Sequence, residues 1–172
     1  MVCPVCGSDS SFHFLTKNNH RLLKCNVCDL IFLGNPPPPD QVKTFYSHMY
    51  DRDEKYSLYE VYDTVRRAEF KERLQRISEL KPHGRLLDIG CSTGEFLELV
   101  SRTGRYAIEG AEISQEAALK ASERLKVDVF CGTLEELPSS PCSYDVITAW
   151  EIIEHIPDPV AFLRRVHYLL KP

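Results

Sequence analysis

Four cysteines near the start of the chain have the spacing of metal ligands. They form two Cys-x2-Cys pairs, Cys3 with Cys6 and Cys25 with Cys28. Two residues between paired thiols let a tight turn direct both sulfurs at one ion, and thiolates are ligands that zinc prefers. Four protein ligands fill a tetrahedral zinc site and leave no position for water, so we expect the zinc to be structural. Residues 1–34 are therefore predicted to form a four-cysteine zinc ribbon.

A second candidate site is a glycine-containing segment farther along the chain, which reads Asp88-Ile89-Gly90-Cys91-Ser92-Thr93-Gly94. It follows a short apolar strand and precedes a helix, where glycines let the backbone approach a ligand closely. The common phosphate-binding patterns do not fit it. A dinucleotide loop needs G-x-G-x-x-G, but Ser92 and Glu95 stand at the second and third glycine positions, and a Walker loop needs a lysine that this segment lacks.

The elements around this segment alternate between strand and helix. Short apolar runs predict four strands, over residues 85–89, 106–113, 127–130 and 144–150. Helices are predicted after them, with Ser114 and Asp158 as N-caps and Pro159 in a first turn. This alternation is typical of βαβ units and predicts a parallel sheet within residues 83–172.

A connector, residues 35–82, separates the ribbon from the α/β domain. It begins with a run of four prolines, residues 36–39, which fits neither a helix interior nor a central strand. A tyrosine-rich stretch then leads into a helix-patterned segment; its tyrosines are Tyr46, Tyr50, Tyr56, Tyr59 and Tyr62. We expect this stretch to form a lid over the site.

Four segments of the α/β domain resemble, in order, the motifs of class I S-adenosylmethionine-dependent methyltransferases. Residues 87–97 resemble the first motif, acidic-x-Gly-x-Gly-x-Gly, with Ser92 in place of the central glycine. The others are residues 110–114, 132–138 and 144–159, which resemble the end of the second strand, the loop after the third strand, and the fourth strand with its following motif. The resemblance implies a Rossmann-like doubly wound parallel sheet, S-adenosylmethionine as the cofactor, and methyl transfer as the activity.

The resemblance also indicates which residues would bind the cofactor. It implies that Asp88 and Gly90 hold the methionine moiety and that Thr133 and Leu134 lie beside the adenine. A carboxylate at the end of the second strand can accept hydrogen bonds from a ribose diol, which favours Glu112. The full predicted set of cofactor-binding residues is Asp88, Gly90, Cys91, Ser92, Gly94, Glu112, Ile113, Thr133, Leu134 and Trp150.

The candidate catalytic residues follow the fourth strand. Methyl transfer is an in-line displacement, for which a protein aligns the acceptor and in some cases removes its proton. Glu151, Glu154 and His155 lie at this end of the strand, beside the cofactor crevice of a parallel sheet. Histidine is the side chain best suited to accept a proton near neutral pH, so His155 is the candidate base. The alternative is that Glu154 and His155 only hydrogen-bond the loop before Pro157.

Composition limits the partners and the location. A net charge of −4 and a pI near 5.9 disfavour a nucleic-acid partner. The chain has no apolar stretch long enough to span a bilayer and no signal-peptide pattern, so we expect a cytoplasmic protein without a membrane partner.

The predicted sheet is shorter than that of the family. The family orders its strands 3-2-1-4-5-7-6, and this chain supplies strands 3-2-1-4, which would leave the fourth strand as an apolar edge. We expect either a fragment of a longer enzyme, or a homodimer contact or another partner that covers this edge.

The sequence favours methyl transfer to a small-molecule acceptor, a metabolite or a sugar derivative. A four-cysteine ribbon followed by a proline- and tyrosine-bearing spacer is similar to a branch of bacterial and archaeal methyltransferases, some of which act on such acceptors. Two alternatives stay open. One is an RNA or protein methyltransferase guided by the zinc ribbon, and the other is a non-catalytic module that binds S-adenosylmethionine and interacts through the ribbon.

Overall fold

A computed structural model describes residues 1–38, residue 41 and residues 54–172 of the chain. For residues 54–64 it describes the backbone only. The tyrosine side chains of the expected lid all belong to residues 46–62, so they lie outside the described part. Their role stays a prediction.

The N-terminal unit is a three-stranded antiparallel sheet in the order β1-β2-β3. Its strands are β1 (Ser11–Lys17), β2 (His20–Cys25) and β3 (Ile31–Leu33). Asn18 and Asn19 connect β1 to β2, and both have positive φ, 49° and 65°. Two left-handed residues in a two-residue connection are typical of the hairpin turn that matches strand twist, and asparagine adopts this conformation readily.

The second unit alternates helices with parallel strands. Its elements are α1 (Glu54–Leu80), β4 (Gly84–Ile89), α2 (Glu95–Ser101), β5 (Tyr106–Glu112), α3 (Gln115–Leu125), β6 (Phe130–Cys131), β7 (Val146–Thr148), a 3-10 turn (Ile153–His155) and α4 (Pro159–Leu169). The strands pair in the order β6-β5-β4-β7, and every pair is parallel. This order confirms the predicted 3-2-1-4 arrangement of a Rossmann-like sheet, with β7 at one end.

The two faces of this sheet carry separate apolar clusters. On β4, Leu86 belongs to one cluster and Leu87 to the other, as alternation along a strand requires. Helices α1, α2 and α3 contribute to the cluster of Leu86, whereas Phe162 and Leu169 of α4 contribute to that of Leu87. The domain is therefore a helix–sheet–helix sandwich, the three-layer architecture of doubly wound proteins.

The predicted helix N-caps are confirmed. The side chain of Ser114 accepts a hydrogen bond from the backbone N–H of Ala117, at 3.4 Å, and that of Asp158 accepts from Ala161, at 2.9 Å. Pro159 occupies the first turn of α4.

Two predicted strands are shorter than expected. The third was predicted over residues 127–130 but is Phe130–Cys131, paired with Ala111 and Glu112 of β5. The backbone N–H of Val129 instead donates to the Ser122 hydroxyl at 3.0 Å, which ties this approach segment to α3. The fourth was predicted over residues 144–150 but is Val146–Thr148.

The ends of the predicted fourth strand have other partners. Tyr144 forms an isolated parallel bridge with Leu170, and the chain turns at Trp150. Within the part of the chain that the structure describes, no helix is both long enough and apolar enough to cross a membrane.

Candidate functional site

The four cysteines come together at one end of the N-terminal sheet. Their sulfur atoms all lie within 4.8 Å of one another, with Sγ–Sγ distances of 3.6 Å between Cys3 and Cys28 and 3.5 Å between Cys6 and Cys25. A disulfide would bring two sulfurs to about 2.05 Å, whereas a tetrahedral ion with bonds of about 2.3 Å separates its ligand sulfurs by about 3.8 Å. The geometry therefore fits one tetrahedral ion and excludes a pair of disulfides.

Backbone N–H groups support the thiolate form of two of the four cysteines. The N–H of Cys6 lowers the pKa of the Cys3 thiol to about 6, and the N–H of Cys28 is the main cause that lowers the pKa of Cys25. Desolvation and the neighbouring sulfurs instead raise the pKa of Cys6 and of Cys28. Thiolates are the form that binds metal. Cys3 and Cys25 are buried against Leu23 and Phe32, which form the small apolar core of this unit.

The second candidate site lies where β4 and β5 end side by side. Asp88 is 3% exposed, and its carboxylate accepts a hydrogen bond of 2.6 Å from the hydroxyl of Thr148, the residue opposite it on β7. Burial raises the pKa of Asp88 to about 7, and the neighbouring Glu112 adds to this rise, whereas Arg73 opposes it. A carboxyl group at this position can pair with a cationic group of a ligand and compensate its own desolvation.

Glu112, at the end of β5, is 6% exposed and holds two loops together. Its two carboxylate oxygens accept backbone N–H groups from Ser92 and Ser114, each at 2.9 Å. Burial nevertheless raises the pKa of Glu112. A carboxylate has about four acceptor positions, so two remain for the paired hydroxyls of a ribose.

Three residues of the glycine segment lie in the left-handed region of backbone conformation. Gly90, Ser92 and Gly94 have positive φ of 70°, 52° and 79°, and the N–H of Gly90 donates to Ala111 at 2.7 Å. A Cβ atom at Gly90 would lie 2.2 Å from Cδ1 of Ile152. Glycine is therefore required at position 90 by both the backbone conformation and the contact.

Two of the predicted cofactor residues, Cys91 and Leu134, have side chains buried in the domain rather than exposed at this edge. The Cys91 side chain is buried, and its sulfur packs 2.8 Å from the position of a Cβ at Gly110. Leu134 is 3% exposed and belongs to the apolar cluster beneath the sheet. Thr133 donates its backbone N–H to Glu136, and Ile113 is half-buried next to Glu112.

Trp150 lies where the fourth strand turns, and its ring packs edge-on against Phe96 of α2, with centroids 5.7 Å apart. Its indole Nε1 is buried without a hydrogen-bond partner in the described part of the molecule. The Arg73 guanidinium of α1 lies 4.6 Å above the Trp150 ring. A cation over an aromatic face is a favourable contact, which fixes α1 over this end of the sheet.

The three candidate catalytic residues are exposed at the same edge. Glu151 has φ of 56° and faces Arg73, with 3.6 Å between Oε1 and Nη2. Glu154 and His155 belong to the 3-10 turn, and both side chains are exposed. Among the described residues, the four cysteines are the one group of three or more potential ligands close enough to hold a metal, so Glu151, Glu154 and His155 do not form a preassembled metal site.

Sequence reasoning missed Arg73 and Thr148. Thr148 is the hydrogen-bond donor to Asp88, and its place was readable only once the register of β7 was known. Arg73 is separated from the glycine segment by the end of α1, one short connection and β4, and packing of α1 brings its charge near Asp88. The pattern of α1 did contain a signal, because Arg66, Phe70 and Arg73 recur at helical spacing on the side that meets α2.

Comparison with known proteins places this geometry in a family. A family model described as a methyltransferase domain matches residues 62–172. A ubiquinone biosynthesis O-methyltransferase from Neisseria meningitidis is 35% identical over 95 residues, which cover 51% of this chain and 40% of that protein. The chain thus spans less than half the length of this curated relative.

Solved structures share the fold. One is a methyltransferase from Thermotoga maritima, described as a possible histamine N-methyltransferase, which is 32% identical and superposes with a TM-score of 0.54. The match covers 67% of this chain and 53% of the Thermotoga chain. An amino pentose methyltransferase from Micromonospora echinaspora, with S-adenosylmethionine bound, is 25% identical over 65% of this chain and 52% of its own, with a TM-score of 0.54. The chain belongs to the methyltransferase domain family and has the Rossmann-like fold of the class I S-adenosylmethionine-dependent enzymes.

Proposed function

We propose that the chain binds S-adenosylmethionine at the carboxyl ends of β4 and β5 and transfers its methyl group to a small-molecule acceptor. The observation that carries this proposal is the pair of buried carboxylates on neighbouring parallel strands, Asp88 and Glu112, with the Arg73 guanidinium across from them. These three charged side chains match the charged groups and hydroxyls of the ligand. Asp88 suits the cofactor's ammonium group, Glu112 its ribose hydroxyls, and Arg73 its carboxylate.

When bound, S-adenosylmethionine supplies a methyl group already activated by a positively charged sulfur. The protein's part is then orientation. Three charged side chains fixed by β4, β5 and α1 hold the two ends of the ligand, and the glycine segment lets the backbone lie against it. The buried Nε1 of Trp150 offers one further donor at this edge.

The acceptor would approach from the exposed side of the same edge. Glu151, Glu154 and His155 stand there, after the fourth strand. We assign His155 as the base that takes the acceptor's proton and Glu151 and Glu154 as residues that orient the acceptor. The relatives named above support a small acceptor, since their names refer to ubiquinone biosynthesis, possibly histamine, and an amino pentose.

The four-cysteine cluster is proposed to hold one structural zinc ion. Its sulfurs already lie near tetrahedral separation, and four thiolates leave no open position on the ion. The ribbon would then be a folded module without chemistry of its own. Guidance of the enzyme to RNA or protein is the competing role, and the acceptor screen described below distinguishes the two.

Calorimetric titration with S-adenosylhomocysteine tests the cofactor site. We expect Glu112→Gln to weaken binding by about tenfold or more, because it removes charge-assisted hydrogen bonds to the ribose. Glu109→Gln is the matched control. Glu109 lies on the same strand but bonds to Arg85 and Tyr144, so its removal should leave the affinity within about twofold.

Absence of any heat with S-adenosylhomocysteine and S-adenosylmethionine would refute the proposal. Where binding is observed, the acceptor is sought by incubating the protein and labelled S-adenosylmethionine with small metabolites, bulk RNA and protein. Label transferred only to RNA or protein would overturn the small-molecule assignment.

A further inference from the structure

Arg73 is the centre of a charged cluster at the mouth of the crevice. Its Nη2 atom lies 3.6 Å from Glu151 and 3.8 Å from Glu69, which is one turn earlier on α1. Both separations exceed the length of a good hydrogen bond. The Arg73 side chain is only 24% exposed, and its guanidinium is held near these acids by ion pairing and by the Trp150 ring beneath it.

Glu151 reaches Arg73 from a strained backbone position. Its φ of 56° lies in the left-handed region, which a residue with a Cβ atom avoids unless its surroundings compensate. The side chain is nevertheless 79% exposed, so burial does not hold it there. The ion pair with Arg73 is one described contact that favours this conformation.

The next residue closes the same edge by packing. The Cδ1 atom of Ile152 lies so close to Gly90 that any side chain there would collide with it. Residues 151 and 152 thus contact both the predicted carboxylate partner and the glycine segment. The segment after the fourth strand therefore lies next to two residues to which we assign the cofactor's amino-acid end, Arg73 and Gly90.

We propose that Glu151 takes the place of the cofactor's α-carboxylate at Arg73, and that cofactor binding exchanges one carboxylate for the other. This inference rests on the proposed function and deepens it. A free amino-acid carboxylate can form two parallel hydrogen bonds to a guanidinium, whereas Glu151 makes one long contact. The exchange releases Glu151 toward the acceptor side only after the cofactor is seated. Glu151 is therefore a positioning residue that links cofactor binding to acceptor binding.

Two ligands that differ in the amino-acid end distinguish this role of Glu151 from a general effect of its substitution on ligand binding. S-adenosylhomocysteine carries the carboxylate and the ammonium group, and 5′-methylthioadenosine carries neither. We expect Glu151→Gln to raise affinity for S-adenosylhomocysteine by about two- to fivefold, the strength of one partly exposed ion pair, and to leave affinity for 5′-methylthioadenosine unchanged.

Arg73 variants complete a double-mutant cycle with Glu151→Gln. Arg73→Gln should weaken S-adenosylhomocysteine by about tenfold or more, and Glu151→Gln should bring no gain when added to it. Arg73→Lys keeps the charge and should restore part of the affinity, which guards against loss of folding as the cause. Glu69→Gln is the matched control for charge. It also removes an acid near Arg73, but this acid lies on the surface of α1 rather than in the segment after the fourth strand.

The chain's single tryptophan reports the exchange directly. Trp150 lies beneath Arg73, so its fluorescence should change with S-adenosylhomocysteine in the native protein and change less in Arg73→Gln. The inference is overturned if Glu151→Gln leaves S-adenosylhomocysteine affinity unchanged, if it strengthens both ligands equally, or if Glu69→Gln produces the same gain. A native protein that binds neither ligand would instead refute the proposed function, and the inference would fall with it.

Discussion

At the scale of single residues, the two buried carboxylates of the candidate site, Asp88 and Glu112, differ in the hydrogen bonds that they accept. Glu112 accepts two backbone N–H groups, whereas Asp88 accepts one hydroxyl, from Thr148. Hydrogen bonds to the charged form offset desolvation, and Asp88 has fewer of them. Its pKa of about 7 follows from burial, with Glu112 raising it further and Arg73 lowering it. The charge of Asp88 therefore changes near neutral pH.

Asp88 predicts a pH dependence of cofactor affinity. Only the ionised carboxylate attracts the ligand's ammonium group, so affinity for S-adenosylhomocysteine should rise by about tenfold between pH 6 and pH 8, as the ionised fraction rises through the pKa. Titration calorimetry at these two values measures it. Asp88→Asn should bind weakly and with little pH dependence. An unchanged slope in this variant would assign the proton to another group.

The same shift affects the stability of the unliganded protein, with the opposite trend. Free aspartate has a pKa of about 3.9, so the folded state holds the Asp88 proton more tightly than the unfolded state does. This contribution to stability is fully present below about pH 4 and is lost as pH rises toward about 7. When a ligand binds, its ammonium group pairs with the ionised Asp88 and compensates for this loss of stability. This is why a buried carboxylate with a raised pKa is suited to a binding site.

At the scale of elements, the features that depend on a few neighbouring residues could be predicted from the sequence. Both helix caps follow from short segments and their spacing. The strand order was implied by the resemblance to the methyltransferase family. Strand lengths were not predicted correctly, because they depend on what each strand pairs with. The third strand was predicted over residues 127–130, but only Phe130 and Cys131 pair with β5, and Tyr144 pairs with Leu170 instead of continuing β7.

The cap of α3 gives a prediction at this scale. Ser114 is 1% exposed, and its hydroxyl accepts the N–H of Ala117, so Ser114→Ala should lower the free energy of unfolding by about 1 kcal/mol. Its backbone N–H still donates to Glu112, so cofactor affinity should hold. Denaturant unfolding and calorimetry measure the two quantities. Ser101→Ala, an exposed hydroxyl bonded within α2, is the control and should cost less.

The contacts of Arg73 show why part of the site was not predictable. Trp150 and Glu151 were predicted as site residues, whereas Arg73 lies far from them in sequence and looks ordinary alone. A charged residue in a long helix is typically a solvated one. The position of α1 over the sheet follows from packing, including that of Phe70 on Phe96 of α2, whose ring centroids are 5.5 Å apart.

At the scale of the whole molecule, two units draw their stability from different sources. The apolar core of the ribbon consists of Cys3, Leu23, Cys25 and Phe32 with Leu30 against it, which is too little to offset the entropy of ordering a chain of this length. The α/β domain has two larger clusters on the two faces of its sheet, and neither shares a residue with the ribbon. Metal binding and cofactor binding should therefore be separable.

Metal removal tests this separation. A chelator should unfold residues 1–34, because the free energy of binding zinc to four thiolates is free energy of folding for such a module. Hydrogen exchange should show loss of protection in β1 and β2, while β4 and β5 stay protected. Affinity for S-adenosylhomocysteine should remain within about twofold.

Two variants sharpen the result. Cys28→Ser removes one ligand and should reproduce the effect of the chelator, whereas Cys142→Ser removes an exposed thiol outside the cluster and should change nothing. Loss of S-adenosylhomocysteine binding together with the metal would contradict the prediction and make the ribbon part of the cofactor site. Retained protection of β1 and β2 after chelation would show that the small apolar core suffices without an ion. The predicted pattern, local unfolding with intact binding, would instead establish the ribbon as a separately stabilised unit.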